Sequence, residues 1–143
     1  DVEKAARALA ASFGIGPWNI WTIEPPEAEV RGRKTSFSFK VALAEVGGAF
    51  YELIAPDKGE SVYVDHLASN GEGFHHTCLV FATREALEER KAALLAEGRE
   101  MILRGGFGEM GEFCYFEIPE IASPVELMYL RFEMLPPPEQ VIE

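Results

Sequence analysis

The chain reads as one structural unit written twice, and that repeat limits its fold more than any other feature. An amphipathic helix over Asp1–Ser12 sets Val2, Ala5, Ala6, Leu9 and Phe13 near a 3.6-residue period and stops at Gly14. A second helix, over Arg84–Ala96, is rich in Ala, Leu, Glu and Arg, takes Thr83 as its N-cap and stops at Gly98. After each helix come three strand-like runs, and the last carries a glutamate among apolar residues. These are Phe50-Tyr51-Glu52-Leu53-Ile54 and Pro124-Val125-Glu126-Leu127-Met128. The stretch from Gly14 to Glu52 is longer than that from Gly98 to Glu126, and the excess matches the polar loop Glu24–Lys34. The second half also has a strand before its helix. Each copy is therefore a βαβββ unit, and the opening strand of the first copy is missing. Shifting His76 back by the interval between the two glycines carries it past Asp1.

The remaining elements follow from local patterns. Strands are expected at Trp18–Ile23, Thr35–Glu45 and Ala49–Ile54, with a Gly47-Gly48 turn between the last two. Pro56–Asn70 is a connector with a short helical turn around Tyr63–Ala68. A strand from Gly71 to Phe81 precedes the second helix; Glu100–Leu103, Glu112–Ile118 and Val125–Arg131 follow it. Gly105-Gly106-Phe107-Gly108 lacks the Lys-Ser/Thr pair of a phosphate-binding loop and leads into a strand, so it reads as a flexible hairpin or pocket rim. The tail, with Pro136-Pro137-Pro138, is extended. The whole is a single α+β domain over residues 1–143: unit one 1–56, connector 57–71, unit two 72–131, tail 132–143. An unpaired sheet edge in unit one would invite a homodimer.

Charge and cysteine usage narrow the function. Asp plus Glu number 24 against 13 Lys plus Arg, a net charge of −11, which argues against a nucleic-acid groove or an anionic membrane surface. No apolar run approaches the roughly 18 residues of a membrane span. Cys78 and Cys114 sit in apolar strand-like runs with no export signal ahead of them, so both are expected as free, buried thiols in a reducing cytoplasm.

Chemistry concentrates in three places. In Gly71-Glu72-Gly73-Phe74-His75-His76, two adjacent histidines begin an apolar run; on a strand they would face opposite ways, one of them inward. Glu52 and Glu126 each lie in a strand without a solvent face, where a carboxylate costs several kcal/mol unless paired or coordinated. Two solutions are open: an ion pair, with Lys40 of the neighbouring strand or with His76, or a metal ion, since one imidazole and two carboxylates suit Zn, Ni, Co or Mn. The repeat favours the second, because equivalent positions of two copies converge on one pseudo-two-fold axis.

These runs, together with Glu52-Leu53-Ile54-Ala55-Pro56, Val125-Glu126-Leu127 and the stretch from Asp1-Val2-Glu3-Lys4-Ala5 to Phe13-Gly14-Ile15-Gly16-Pro17-Trp18, resemble the vicinal oxygen chelate superfamily. That group includes glyoxalase I, methylmalonyl-CoA epimerase, extradiol dioxygenases and bleomycin-resistance proteins. The resemblance implies two βαβββ units forming a curved mixed sheet around a central metal or ligand cavity. It implies His76, Glu52 and Glu126 as three of four metal ligands; the fourth would come from the strand that is missing. The paired histidines look most like the epimerase and lyase branch. The reaction implied is removal of a proton next to the carbonyl of a small substrate, an acyl thioester being one candidate. A carboxylate takes the proton, with Glu126 favoured over Glu52 as the base. Lys40, Trp21, Phe107 and Tyr115 are candidates for substrate contact. A metal-free binding module of the antibiotic-sequestering type is the rival. The loop Glu117–Pro124 differs from the usual one before the last strand, which leaves the substrate open.

Overall fold

The structure is a computed structural model describing residues 1–143. In chain order the first elements are α1 (Val2–Phe13), β1 (Trp18–Ile23), β2 (Glu27–Val30), β3 (Arg33–Thr35), β4 (Ser38–Val46), β5 (Ala49–Lys58) and α2 (Val62–Asn70). Then come β6 (Thr77–Val80), α3 (Arg84–Ala96), β7 (Met101–Gly106), β8 (Gly111–Phe116), β9 (Val125–Leu130) and β10 (Gln140–Ile142). The expected α+β class is what forms, with three helices and two unclosed sheets. No helix is long and apolar enough to cross a membrane. The chain divides into two compact units, the first of residues 1–24, 37–59 and 136–143, the second of residues 25–36 and 60–135.

In the first unit α1 covers a four-stranded antiparallel sheet of order β10-β1-β4-β5. Asp1 caps the helix, its carboxylate accepting from the Lys4 N–H at 3.0 Å, and Gly14 ends it in the left-handed region. Val2 and Ala6 pack onto Trp18, Ile20, Ala42, Ala44 and Ile142, with Leu53 and Ala55 alongside. That contact settles the faces: Leu53 and Ala55 look toward α1, so Glu52 and Ile54 look away from it. β5 runs four residues beyond its expected end. Pro56 is tolerated within it because β5 is an edge strand, and the ladder to β4 is irregular just beyond it, between Phe39 and Ser38. The tail is extended, as expected, but it is also a strand: β10 pairs with β1 and buries Ile142 in the core.

The second unit holds a six-stranded sheet of order β3-β2-β7-β8-β9-β6, antiparallel except where β6 runs parallel to β9. α3 is capped by Thr83, whose hydroxyl accepts from the Ala86 N–H at 3.2 Å, and its Leu87 is wholly buried against Cys114, Phe116 and Leu127. Three expectations are corrected here. The polar loop Glu24–Lys34 contains a hairpin, β2–β3, which turns through positive φ at both Arg31 and Gly32 and pairs onto β7. The helical turn in the connector is a nine-residue helix, α2, capped by Ser61. The glycine-rich loop is half strand: Gly105 lies opposite Phe113 in β7–β8, and a Cβ there would collide with the Phe113 ring. Gly105 is thus a site of close aromatic packing, not part of a flexible rim. Both cysteines are free; burial raises the Cys114 thiol to about 12, and Cys78 is partly exposed.

Candidate functional site

β9 presents Val125 and Leu127 to α3, so Glu126 points from the opposite face of the sheet, where it is only 5% exposed. Directly across the ladder is Tyr115 of β8, and on the other side Cys78 of β6. Two residues before Cys78, just ahead of the start of β6, stands His76. Its Nε2 lies 3.3 Å from Glu126 Oε2 and 3.3 Å from the Tyr115 hydroxyl. The Tyr115 hydroxyl in turn meets that of Tyr63, from α2, at 3.0 Å. A buried carboxylate, an imidazole and two phenols therefore converge on one face of the second unit.

The two histidines do not face opposite ways. β6 begins only at Thr77, so the backbone at His75 and His76 is not that of a strand and the alternation rule does not govern it. Their Nδ1 atoms are 3.0 Å apart. The His75 ring lies against His66 at a centroid distance of 4.8 Å, Tyr63 at 5.5 Å and Tyr115 at 5.8 Å. Its carbonyl accepts from the Ser123 hydroxyl at 3.0 Å. Burial first, then the neighbouring His76 and His66, lower the His75 pKa to about 4, so this imidazole is neutral near neutral pH.

Glu52 stands half-buried on β5 of the first unit, opposite Leu43 and on the sheet face away from α1. Strand registers make it the counterpart of Glu126. Asn19, Leu43 and Glu52 form one row across β1, β4 and β5; Leu103, Tyr115 and Glu126 form the same row across β7, β8 and β9. Asn19 and Leu103 are separated by the same interval as Gly14 and Gly98, the glycines that end the two helix patterns. Each glutamate thus occupies the same place in its unit, on the face its helix leaves uncovered.

The other candidates are more scattered. Lys40 sits on the α1 side of its sheet, beside Ala55 in register, and its ammonium pairs with Glu3 at 3.1 Å, so it does not share the face of Glu52 and is not its partner. Trp21 is on the face away from α1 and donates from Nε1 to the Pro136 carbonyl at 2.9 Å. Phe107 extends an aromatic row with Phe113, at 5.9 Å, and Tyr115, at 6.1 Å from Phe113. Sequence reasoning does not reach Tyr63 and His66, and it gives His75 no role. The signal for the first two is their i, i+3 spacing, which puts them on one side of α2.

Comparison with known proteins agrees with the resemblance drawn from the motifs. Residues 1–116 match the sequence profile of the glyoxalase/bleomycin resistance protein/dioxygenase superfamily. No curated protein matches the chain. Among solved structures, a hypothetical protein from Bacillus halodurans C-125 superposes with a TM-score of 0.63 at 17% identity, covering 95% of this chain and 91% of the other. Methylmalonyl-CoA epimerase from Mycobacterium tuberculosis gives 0.61 at 16% identity, covering 94% of this chain and 83% of the other. At such identities the likeness establishes the fold.

Proposed function

We propose that this chain, which belongs to the glyoxalase/bleomycin resistance protein/dioxygenase superfamily, is a divalent-metal-dependent isomerase, epimerase or lyase that removes a proton next to a substrate carbonyl. The observation that carries the reading is the Glu126 carboxylate, buried on the sheet face opposite α3, 3.3 Å from His76 Nε2. The donor chemistry fits a metal: His76 offers an imidazole nitrogen, Glu126 and its counterpart Glu52 offer carboxylate oxygens, and this set suits Zn, Ni, Co or Mn. His76, Glu126 and Glu52 would hold the ion. When bound, it supplies Lewis-acid stabilisation of the negative charge that develops on the carbonyl oxygen.

The rest of the reaction falls to the chain's own groups. Glu126 is the general base, taking the proton from the carbon next to the carbonyl. Glu52 is the second carboxylate of the set and the alternative base. The Tyr115 hydroxyl accepts from that of Tyr63, which leaves its own proton to donate at the edge of the site. Trp21 and Phe107 contribute apolar surface for the substrate. An acyl thioester is the first substrate class to examine, supported by the epimerase among the structural relatives.

Metal analysis of the purified protein, followed by substrate-dependent exchange of a carbon-bound proton for deuterium in D₂O with 2-oxo acids and acyl-CoA thioesters, tests the reading. Stoichiometric divalent metal and exchange that chelation abolishes are expected. Neither metal nor exchange would overturn it in favour of a metal-free binding module.

A further inference from the structure

The His75–His76 contact carries a consequence for the metal site proposed above, and the inference rests on that reading. Adjacent residues rarely aim their rings at each other, because a regular strand would send them to opposite faces. Here the chain is irregular from Gly71 to His76, and the two Nδ1 atoms meet at 3.0 Å. Two imidazole nitrogens at that distance hold one proton between them; without it, two lone pairs would face each other. His75 is itself fixed. Its ring is packed by His66, Tyr63 and Tyr115, and its carbonyl is held by Ser123 from the loop before β9.

The other ring nitrogen of His76 is the one directed at Glu126. A metal on Nε2 requires a lone pair there, and the ring proton then resides on Nδ1. His75 Nδ1 is the atom placed to accept it. We propose that His75 is a positioning residue: through the Nδ1–Nδ1 hydrogen bond it fixes the ring orientation and the tautomer in which His76 Nε2 can bind a metal ion. His75 does not touch the metal or the substrate in this role. It does for His76 what an outer carboxylate or carbonyl does for many metal-binding histidines.

Two measurements test this. In metal-free protein labelled with ¹⁵N, a scalar coupling across the hydrogen bond should connect the Nδ1 atoms of His75 and His76. Its absence overturns the inference, whatever the protein does with metals. Cobalt(II) titration, followed by the visible absorption of the bound ion, gives the second. His75→Asn keeps an acceptor near the Nδ1 position and should bind cobalt within a few-fold of wild type. His75→Phe keeps a planar ring without the acceptor and should bind about 10–100-fold more weakly. Circular dichroism and the unfolding midpoint monitor the fold of both variants. Wild-type affinity in His75→Phe, or equal loss in the two variants, overturns the positioning role while leaving the metal reading intact. A wild-type protein that takes up no cobalt overturns the metal reading itself, and with it any role for His75 in metal binding, even if the coupling is present.

Discussion

The sheet of the second unit buries a carboxylate on each face, and the two are in opposite circumstances. Glu112, on β8, points to the α3 side and is enclosed by fixed cations: Lys91 Nζ at 2.6 Å from one oxygen and Arg104 Nη2 at 2.6 Å from the other. Burial alone would raise its pKa, but hydrogen bonds with Glu88 and Lys91 and the charges of Lys91 and Arg104 outweigh that and bring it down to about 2. Glu126, one strand over and on the other face, has an imidazole and a phenol beside it. A carboxylate neutralised by two permanent cations has no reason to take a proton or a metal. Glu126 has an imidazole and a phenol beside it instead, which is the setting the proposed base and metal ligand requires. Burial of a charged group is thus a poor guide to function; the permanence of its partner's charge is a better one.

That contrast can be broken from either side. If Glu126 is the base proposed above, Glu126→Gln should reduce substrate proton exchange by about 10²–10⁴-fold while the unfolding midpoint changes little. Unchanged exchange, measured by mass spectrometry in D₂O, would move the base to another residue. Glu112→Gln should do the reverse. It leaves Lys91 and Arg104 facing a neutral group, and urea unfolding should show a loss of about 2–4 kcal/mol, short of the full cost of a severed buried pair because both cations are partly solvated. Metal content should be unaltered.

The same variant sharpens the pH dependence. The folded pKa of Glu112 is depressed to about 2 from an ordinary 4.5, so its contribution is fully present above the unfolded value and is lost as pH falls through the folded one. The stability gap between wild type and Glu112→Gln should therefore narrow between about pH 4.5 and pH 2 and be flat near neutrality. Acid titration followed by circular dichroism reads this directly.

Smaller effects probe the face of Glu126. Gly105→Ala pushes a methyl group into the Phe113 ring and should cost about 1–3 kcal/mol in unfolding free energy. Tyr115→Phe removes the hydroxyl that meets both Tyr63 and His76, and about 1 kcal/mol is the expected loss. A loss well above that would mean the hydroxyl network helps hold the fold.

Much of this arrangement is legible in the chain. The caps at Thr83 and Gly14 are local signals, and they place α1 and α3 to within a residue. The repeat interval between Gly14 and Gly98 reappears between Asn19 and Leu103, and Glu52 and Glu126 can be paired from the sequence because each lies among apolar residues in the last strand of its unit. What escapes is decided at long range. β2 and β3 carry charged residues and turn at Arg-Gly, a weak hairpin signal; their strand character comes from pairing with β7, far along the chain. β10 is a short strand that exists because β1 offers it an edge. The Lys91–Glu112–Arg104 cluster joins three elements, and nothing local announces it. The pattern around His75 misleads because it extends a strand back to Gly71 when β6 starts at Thr77; alternation carried past that boundary keeps His76 on the Glu126 side but sends His75 the wrong way.

The discontinuity of the two units has a consequence for how the chain is made. Every strand of the six-stranded sheet has been synthesised once Leu130 emerges, so the second unit can assemble while the ribosome still holds the tail. The first unit must wait. Its core includes Ile142, paired with Trp18 across most of the chain, so a segment made early is closed late. During that interval the edge of β1 that β10 later covers stays unpaired.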